Sequence, residues 1–185
     1  MNPVIEKKVN GVDLALIQNT VNAIDETPDL ARFTFRLHNK WKKGGHNRSK
    51  VKGFYGAGQE NYHLQDFELE SDEPTALAGE DLAANPVEHL LNALAACVTT
   101  SLVYHAAVRG IVIDELESDL EGDLDLRGFL GLSNEVRSGY ENIRIKYKVK
   151  TDNVNIEKLK ELSSFSPVLD VVSNGTKVDI SIERK

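Results

Sequence analysis

A chain of 185 residues, 41% of them hydrophobic and 28% charged, has the composition of one globular domain with a sizeable core. Its formal net charge of −7 argues against a general affinity for nucleic acids or anionic membranes. The single cysteine, Cys97, excludes an intramolecular disulfide, and the first ten residues lack the apolar stretch of a secretory signal. We therefore expect a cytoplasmic protein with no nucleic-acid partner and no membrane association.

The N-terminal segment is expected to be a helical extension of a larger domain. Apolar residues recur at helical spacing over residues 12–26, and Pro28 follows them. We assign residues 1–30 to this extension and residues 31–185 to the main domain.

Three strands are predicted to follow. Apolar and polar residues alternate over residues 33–41, which is typical of a half-buried strand. Glycines 44 and 45 supply a turn, and residues 50–55 form the return strand. Residues 63–71 are a third strand, which ends before Pro74 because proline donates no hydrogen bond.

The longest predicted element is a helix over residues 85–108. Asn85 suits the N-cap, Pro86 the first helical position and Glu88 the third, so that Asn85 and Glu88 form a capping box. Gly110 suits the left-handed residue after the helix. Apolar and small residues occupy nearly every face, so the helix should be buried on all sides. We expect two subunits to enclose a pair of these helices.

The last third of the chain predicts a second sheet and short helices. Residues 111–125 predict a strand, whose acidic part we interpret as a solvated sheet edge that discourages pairing. The remaining predicted elements are a loop at 127–131, a clearly alternating strand at 143–149, a helix at 155–162, a helix from Ser166-Pro167 to Asn174-Gly175, and a final strand at 178–182. This order predicts an α+β fold rather than a parallel α/β sheet.

One motif resembles a known family. The stretch Asn85-Pro86-x-Glu88-x-Leu90-Leu91-x-Ala93-Leu94-Ala95-Ala96-Cys97 closely resembles the active-site helix of the OsmC/Ohr family. The helix end at Ala106-Ala107-Val108-Arg109-Gly110-Ile111 resembles it too, and Ser166-Pro167-Val168 falls where that family has Cys-Pro-Val. The resemblance covers roughly residues 34–185. It implies an OsmC-like α+β fold in which antiparallel sheets wrap around long central buried helices, as an intertwined homodimer.

The resemblance also implies an activity, that of a thiol peroxidase acting on organic hydroperoxides. In the family a first cysteine attacks the peroxide, a second cysteine resolves the sulfenic acid, and arginine and glutamate activate the first. Cys97 matches the first cysteine. Ser166 replaces the second, so an external thiol would have to complete the cycle, and no cofactor is implied. The spacing of the five histidines predicts no metal site.

Each candidate site residue has an alternative structural role. Cys97 is a nucleophile or a buried structural thiol, and Glu88 is a site acid or the capping-box residue. Arg48 is the activating cation or a solvated residue of the first hairpin loop, and Ser166 is a site residue or an N-cap. The candidate set is Cys97, Glu88 and Arg48 for catalysis, and Leu90, Leu94, Ser101 and Ser166 for binding.

Three functions therefore stay open at the level of sequence. The first is a one-cysteine reductase of organic hydroperoxides in stress defence, which needs a reactive Cys97 thiolate and a nearby cation. The second is a catalytically degenerate OsmC-like dimer that binds a small apolar ligand, which needs an apolar pocket. The third is an interaction module, which needs an exposed apolar patch outside the dimer interface.

Overall fold

The computed structural model describes residues 8–152 and 156–184. Its strands are β1 (Lys8–Val9), β2 (Val12–Asp13), β3 (Thr34–Phe35), β4 (His38–Lys43), β5 (His46–Gly56), β6 (Gln59–Ser71), β7 (Glu115–Asp123) and β8 (Asn142–Lys150). Its α-helices are α1 (Leu14–Glu26), α2 (Pro86–Val108), α3 (Leu126–Phe129), α4 (Ile156–Leu162) and α5 (Pro167–Asn174). Short 3₁₀ helices occupy Pro28–Ala31, Thr75–Leu77 and Ser163–Phe165.

The chain divides into two compact units. Of the described residues, the N-terminal unit contains Lys8 and 13–90, and the C-terminal unit contains Val9–Val12, 91–152 and 156–184. The predicted extension, residues 1–30, contains α1, but its first seven residues lie outside the described part of the chain. The boundary that we placed at residue 30 stays a prediction.

The N-terminal unit is built on an antiparallel sheet whose central strand is β5. Strands β3 and β4 pair along one side of β5 and β6 along the other. This confirms the predicted strands at 50–55 and 63–71, whereas the strand predicted at 33–41 is interrupted at residues 36–37 and forms β3 and β4. The expected half-burial of their apolar side chains is wrong for the single chain, because Phe33, Phe35, Leu37 and Trp41 are exposed. Instead the rings of Phe33, Phe35 and Phe54 contact one another. The centroids of Phe35 and Phe54, for example, are 5.3 Å apart.

A buried carboxylate organises the loop that follows β6. Asp72 is fully buried and accepts hydrogen bonds from the backbone N–H groups of Glu73 at 2.8 Å, Glu80 at 3.2 Å and Leu82 at 3.3 Å. Burial by itself would raise the pKa of Asp72, but these donors outweigh it and hold the pKa below its usual value. No sequence pattern had indicated this role for Asp72.

Helix α2 has the predicted ends. Glu88 N–H donates to Asn85 Oδ1, and the Glu88 carboxylate accepts from Asn85 N–H, each at 2.8 Å, which is the predicted capping box. Gly110 has a φ of 70°, and the N–H groups of Gly110 and Ile111 donate back to Ala107 and Ala106. These two bonds form the Schellman motif that a left-handed glycine permits.

Burial of α2 on all sides does not occur within one chain. The buried residues Leu94, Val98, Leu102 and Ala106 recur every four positions and form one face, whereas Tyr104 is 46% exposed. The second subunit that would cover the other face stays a prediction. Of the helices in the described residues, α2 alone is long and apolar enough to cross a membrane, a criterion that the core helix of a globular protein also meets.

The C-terminal unit contains the hairpin of β7 and β8. Alternate residues of β8 are half-buried, as predicted for residues 143–149. Among the described strands β7 pairs with β8 alone, so it is an edge strand, and its acidic side chains are exposed, as predicted. On the side that pairs, basic residues of β8 lie opposite the acidic ones. The facing pairs are Glu115 with Lys150, Glu117 with Lys148, Asp119 with Lys146 and Glu121 with Arg144. Opposite charges across the strands favour this pairing, by less than about 1 kcal/mol each at exposed positions.

The apolar face of this hairpin packs on the buried face of α2. Leu94, Val98, Leu102 and Ala106 form a core with Leu159 and Leu162 of α4, and Ile145 and Tyr147 of β8 are among the side chains packed against it. Helix α4 confirms the prediction for residues 156–162, while Asn155 lies outside the described residues.

Three predictions for this unit are wrong in detail. Residues 111–113 lie outside β7, and the Asn10 side chain bonds to the backbone of Ile111 at 3.0 Å and of Ile113 at 2.9 Å. Residues 126–129 form α3 instead of a loop. Residues 178–182 pair with no strand in the described residues, and the apolar side chains Val178, Ile180 and Ile182 are 73%, 83% and 92% exposed.

Candidate functional site

The Cys97 thiol lies at the margin of the α2 face that the core covers. The cysteine is half-buried, beside the buried residue Val98. Ser101, Tyr104 and Val108 follow it at intervals of four, three and four residues and so share its side of the helix. Tyr104 and Val108 are exposed. Among the described residues of the C-terminal unit, no side chain hydrogen-bonds to the Cys97 sulfur. The thiol therefore faces a side of the helix that this unit leaves uncovered.

The basic groups at the end of α2 are engaged with an aromatic ring. The His105 ring stacks on Phe165 with a centroid distance of 3.9 Å, and the Arg109 guanidinium lies 5.7 Å from the centre of the same ring. Arg109 donates to the backbone carbonyl of His105 at 3.0 Å. Burial, and then the charge of Arg109, lowers the pKa of His105. A neutral imidazole two helical turns from Cys97 is a weak source of the positive charge that a thiolate needs.

Glu88 has the structural role that the capping box requires. Its carboxylate accepts a hydrogen bond from Asn85 N–H. Glu88 lies in the first turn of α2, where the helix dipole stabilises a negative charge. The site role proposed for Glu88 stays a prediction.

Arg48 lies within strand β5, so its assignment to the first hairpin loop is wrong. In the sheet register Arg48 faces Lys40 of β4 and Glu70 of β6. Its Nε donates to the Glu70 carboxylate, and its Nη1 lies 3.6 Å from Glu68. His46 Nε2 also contacts the Glu70 carboxylate, at 2.8 Å. The hydrogen bond from His46 and then that from Arg48 lower the pKa of Glu70 against the opposing effect of burial.

The four predicted binding residues have different environments. Ser166 is almost fully buried and caps α5, since its Oγ accepts from Leu169 N–H at 3.2 Å, which confirms the N-cap alternative. Leu94 lies in the core at 1% exposure, Ser101 is half-buried, and Leu90 is 40% exposed. Their role in binding stays a prediction.

The C-terminal unit contains a cavity that sequence analysis missed. Its volume is about 350 Å³, and α2, the β7–β8 hairpin and α4 supply most of its walls. The lining is apolar apart from Tyr147, Lys160 and Ser163. The apolar lining residues are Val98, Leu102, Ile113, Leu116, Ile145, Val149, Ile156, Leu159 and Leu169. The alternation of β8 predicted which of its side chains face inward, but not that they line a cavity.

Comparison with known proteins identifies the family. Residues 79–181, more than half of the chain, match the family described as OsmC-like protein. The chain therefore belongs to the OsmC-like family, and the predicted α+β fold with antiparallel sheets is confirmed. Among curated protein sequences, none matches this chain significantly.

Solved structures share the fold at low sequence identity. An OsmC-like protein from Mycoplasma pneumoniae is 14% identical with a TM-score of 0.59, over 76% of this chain and 88% of that one. An OsmC-like protein of unknown function from Vibrio cholerae is 10% identical with a TM-score of 0.50, over 78% and 94%. An organic hydroperoxide resistance protein from Legionella pneumophila is 16% identical with a TM-score of 0.48, over 76% and 91%.

Proposed function

We propose that this protein is a one-cysteine, thiol-dependent reductase of organic hydroperoxides in stress defence, with Cys97 as the nucleophile. The observation that carries the proposal is the position of Cys97. It lies on α2 inside the region that matches the OsmC-like family, at the margin of the face that the core covers. A half-buried thiol there is open to a peroxide, whereas a structural thiol would be expected within the core.

The chemistry balances with one external reductant, a small or protein thiol. The Cys97 thiolate attacks the terminal peroxide oxygen, an S–O bond forms, and the O–O bond breaks. The alkoxide takes a proton and leaves as the alcohol, so that sulfur is oxidised and the peroxide is reduced. A first external thiol then displaces water from the sulfenic acid and forms a mixed disulfide. A second external thiol releases Cys97 and leaves as the external disulfide.

The external thiol is needed because the chain has no second cysteine, and the sequence resemblance assigns Ser166 to the position of the family's second cysteine. Its hydroxyl cannot form a disulfide, and it is buried in the cap of α5. In this proposal Arg48 supplies positive charge near the thiolate, and Glu88 anchors the first turn of the helix that carries Cys97. Of the four predicted binding residues, the two that are not buried, Leu90 and Ser101, border the peroxide.

The test of this function is a steady-state assay with cumene hydroperoxide and a dithiol reductant. The wild-type protein should consume peroxide at a rate proportional to enzyme concentration. Cys97→Ser should abolish that consumption, whereas Ser101→Ala, a conservative change one turn away, should lower it only partly. Equal rates for the wild type and Cys97→Ser would contradict the proposal.

We also propose that the protein acts as a cytoplasmic homodimer without nucleic-acid or membrane partners. Two features support the dimer: the uncovered side of α2 and the exposed apolar residues of the segment 178–182. Contiguous apolar surface that is exposed in a single chain is typical of a protein–protein interface. The single cysteine and the net charge of −7 support the location and the absence of polyanionic partners.

The second candidate function is binding of a small apolar molecule without turnover. The cavity in the C-terminal unit favours it, since about 350 Å³ with a mainly apolar lining falls at the small end of the range for ligand sites. Saturable binding of an uncharged alkanol to both the wild type and Cys97→Ser would support this candidate. Its absence would remove it.

A further inference from the structure

We infer that the cavity of the C-terminal unit binds a small carboxylic acid, with its hydrocarbon tail inside and its carboxylate at Lys160. This inference rests on the second candidate function, binding of an apolar molecule, and does not need a reactive Cys97. It adds the chemical class of the ligand and the residue that recognises its head group.

The apolar walls of the cavity favour binding of a hydrocarbon tail. Val98 and Leu102 of α2 line it from one side, and Ile145 and Val149 of β8 line it from another. None of these side chains carries a polar atom. A hydrocarbon chain of moderate length would lose its contact with water here, at a gain of about 0.8 kcal/mol per buried methylene.

The polar groups of the lining favour a negatively charged head group on the ligand. Lys160 is the only charged residue among those that line the cavity. Its side chain is exposed and forms no ion pair with any residue in the described part of the chain. An ammonium group at the edge of an apolar cavity offers three donors and one positive charge, which is the complement of a carboxylate.

The other two polar residues of the lining, Ser163 and Tyr147, already have hydrogen-bond partners within the protein. The charge of Lys160 therefore distinguishes a carboxylate from an uncharged head group. Ser163 Oγ donates to the Lys160 carbonyl at 2.7 Å, so its proton is used within the backbone turn. The Tyr147 hydroxyl has only long contacts, 3.4 Å to Thr99 Oγ1 and 3.4 Å to the Ala95 carbonyl. An uncharged alcohol of the same length would gain the apolar contacts but not the charge of Lys160.

The test compares decanoate with decan-1-ol, two probes with the same tail and different heads. Binding is measured by isothermal titration calorimetry at neutral pH, with each probe below its aggregation concentration. The wild-type protein should bind decanoate about three- to tenfold more tightly than decan-1-ol. Lys160→Ala should abolish this preference. Lys158→Ala removes an exposed lysine of the same helix that does not line the cavity, and it should keep the preference.

Two further measurements locate the ligand and separate this inference from the thiol chemistry. Decanoate should shift the methyl resonances of Leu102 and Ile145, and Cys97→Ser should bind decanoate as the wild type does. A preference that Lys160→Ala does not reduce would overturn the head-group assignment while leaving apolar binding intact. Failure of both probes to bind folded protein would overturn the inference and the second candidate function together. Neither result bears on peroxide reduction.

Discussion

The Nε of Arg48 donates a hydrogen bond to the carboxylate of Glu70, across the antiparallel register of β5 and β6. His46 holds the other oxygen of the same carboxylate at 2.8 Å. The Arg48 side chain is about one-third exposed and is fixed by this contact, which preorganises its charge. If Arg48 assists Cys97, as the resemblance implies, it does so as a cation that is already paired with Glu70.

Replacement of Arg48 by methionine tests that role. If Arg48 stabilises the Cys97 thiolate or the developing charge on the peroxide, Arg48→Met should slow oxidation of Cys97 by about tenfold or more. Arg36→Met is the matched control, because Arg36 also extends from the strand region and pairs with a glutamate, Glu60, at 2.7 Å. The measurement is stopped-flow loss of the free thiol under excess peroxide. Equal rates of thiol oxidation in Arg48→Met and Arg36→Met would mean that Arg48 only stabilises the sheet and does not assist Cys97.

A second prediction concerns the dimer. Ile180→Asp should dissociate it, because Ile180 is 83% exposed in the single chain and belongs to an alternating apolar segment that needs a partner. Ser181→Asp introduces the same charge on the neighbouring residue, whose side chain would point the opposite way in a strand, and the dimer should persist. Sedimentation equilibrium at micromolar concentration distinguishes the two, and the interface should exceed about 2,000 Å². A folded monomeric wild type would contradict the dimer.

A third prediction concerns the stability of the C-terminal unit. Ile145 packs against the core, so Ile145→Ala should lower the free energy of unfolding by about 2–4 kcal/mol. Lys146 is exposed on the other face of β8, and Lys146→Ala should change it by less than about 0.5 kcal/mol. Chemical denaturation of both variants makes the comparison. Equal effects would mean that the register of β8 is wrong.

The buried carboxylate of Asp72 predicts a dependence of stability on pH. Because its folded pKa is depressed, the stability that it contributes is present above the unfolded pKa of about 4 and is lost as the pH falls through the folded pKa. Asp72→Asn should therefore destabilise the protein at pH 7, and the difference from the wild type should shrink below about pH 4. Asp81→Asn, at an exposed position, should show no such change. A difference that stays constant from pH 7 to pH 3 would contradict this role of Asp72.

The sequence predicted those features that depend on neighbours along the chain. The capping box of Asn85 and Glu88 and the left-handed Gly110 are local motifs, and the alternation of β8 has a period that only a strand explains. Each of these predictions was confirmed because the residues that form the hydrogen bonds, or that alternate between the two faces, lie within a few positions of one another in the sequence.

The features that escaped prediction depend on residues far apart in sequence. The pairing of the acidic run of β7 with basic residues was not predicted, because these partners lie more than twenty residues away in β8. Asp72 is an exception, since its donors lie within ten residues, but the turns of an irregular loop decide which N–H groups reach it. The cavity requires α2, β8 and α4 together, so no single periodic pattern could indicate it.

The most direct measurement of the central claim is mass spectrometry of the intact protein after one equivalent of cumene hydroperoxide at neutral pH. We predict that Cys97 gains one oxygen, that this sulfenic acid persists because the chain has no second cysteine, and that an added thiol reverses it. Excess peroxide should carry it to the sulfinic acid, which ordinary thiols do not reduce. An unmodified Cys97 after hours of exposure, in folded protein, would contradict the reductase and leave ligand binding as the function.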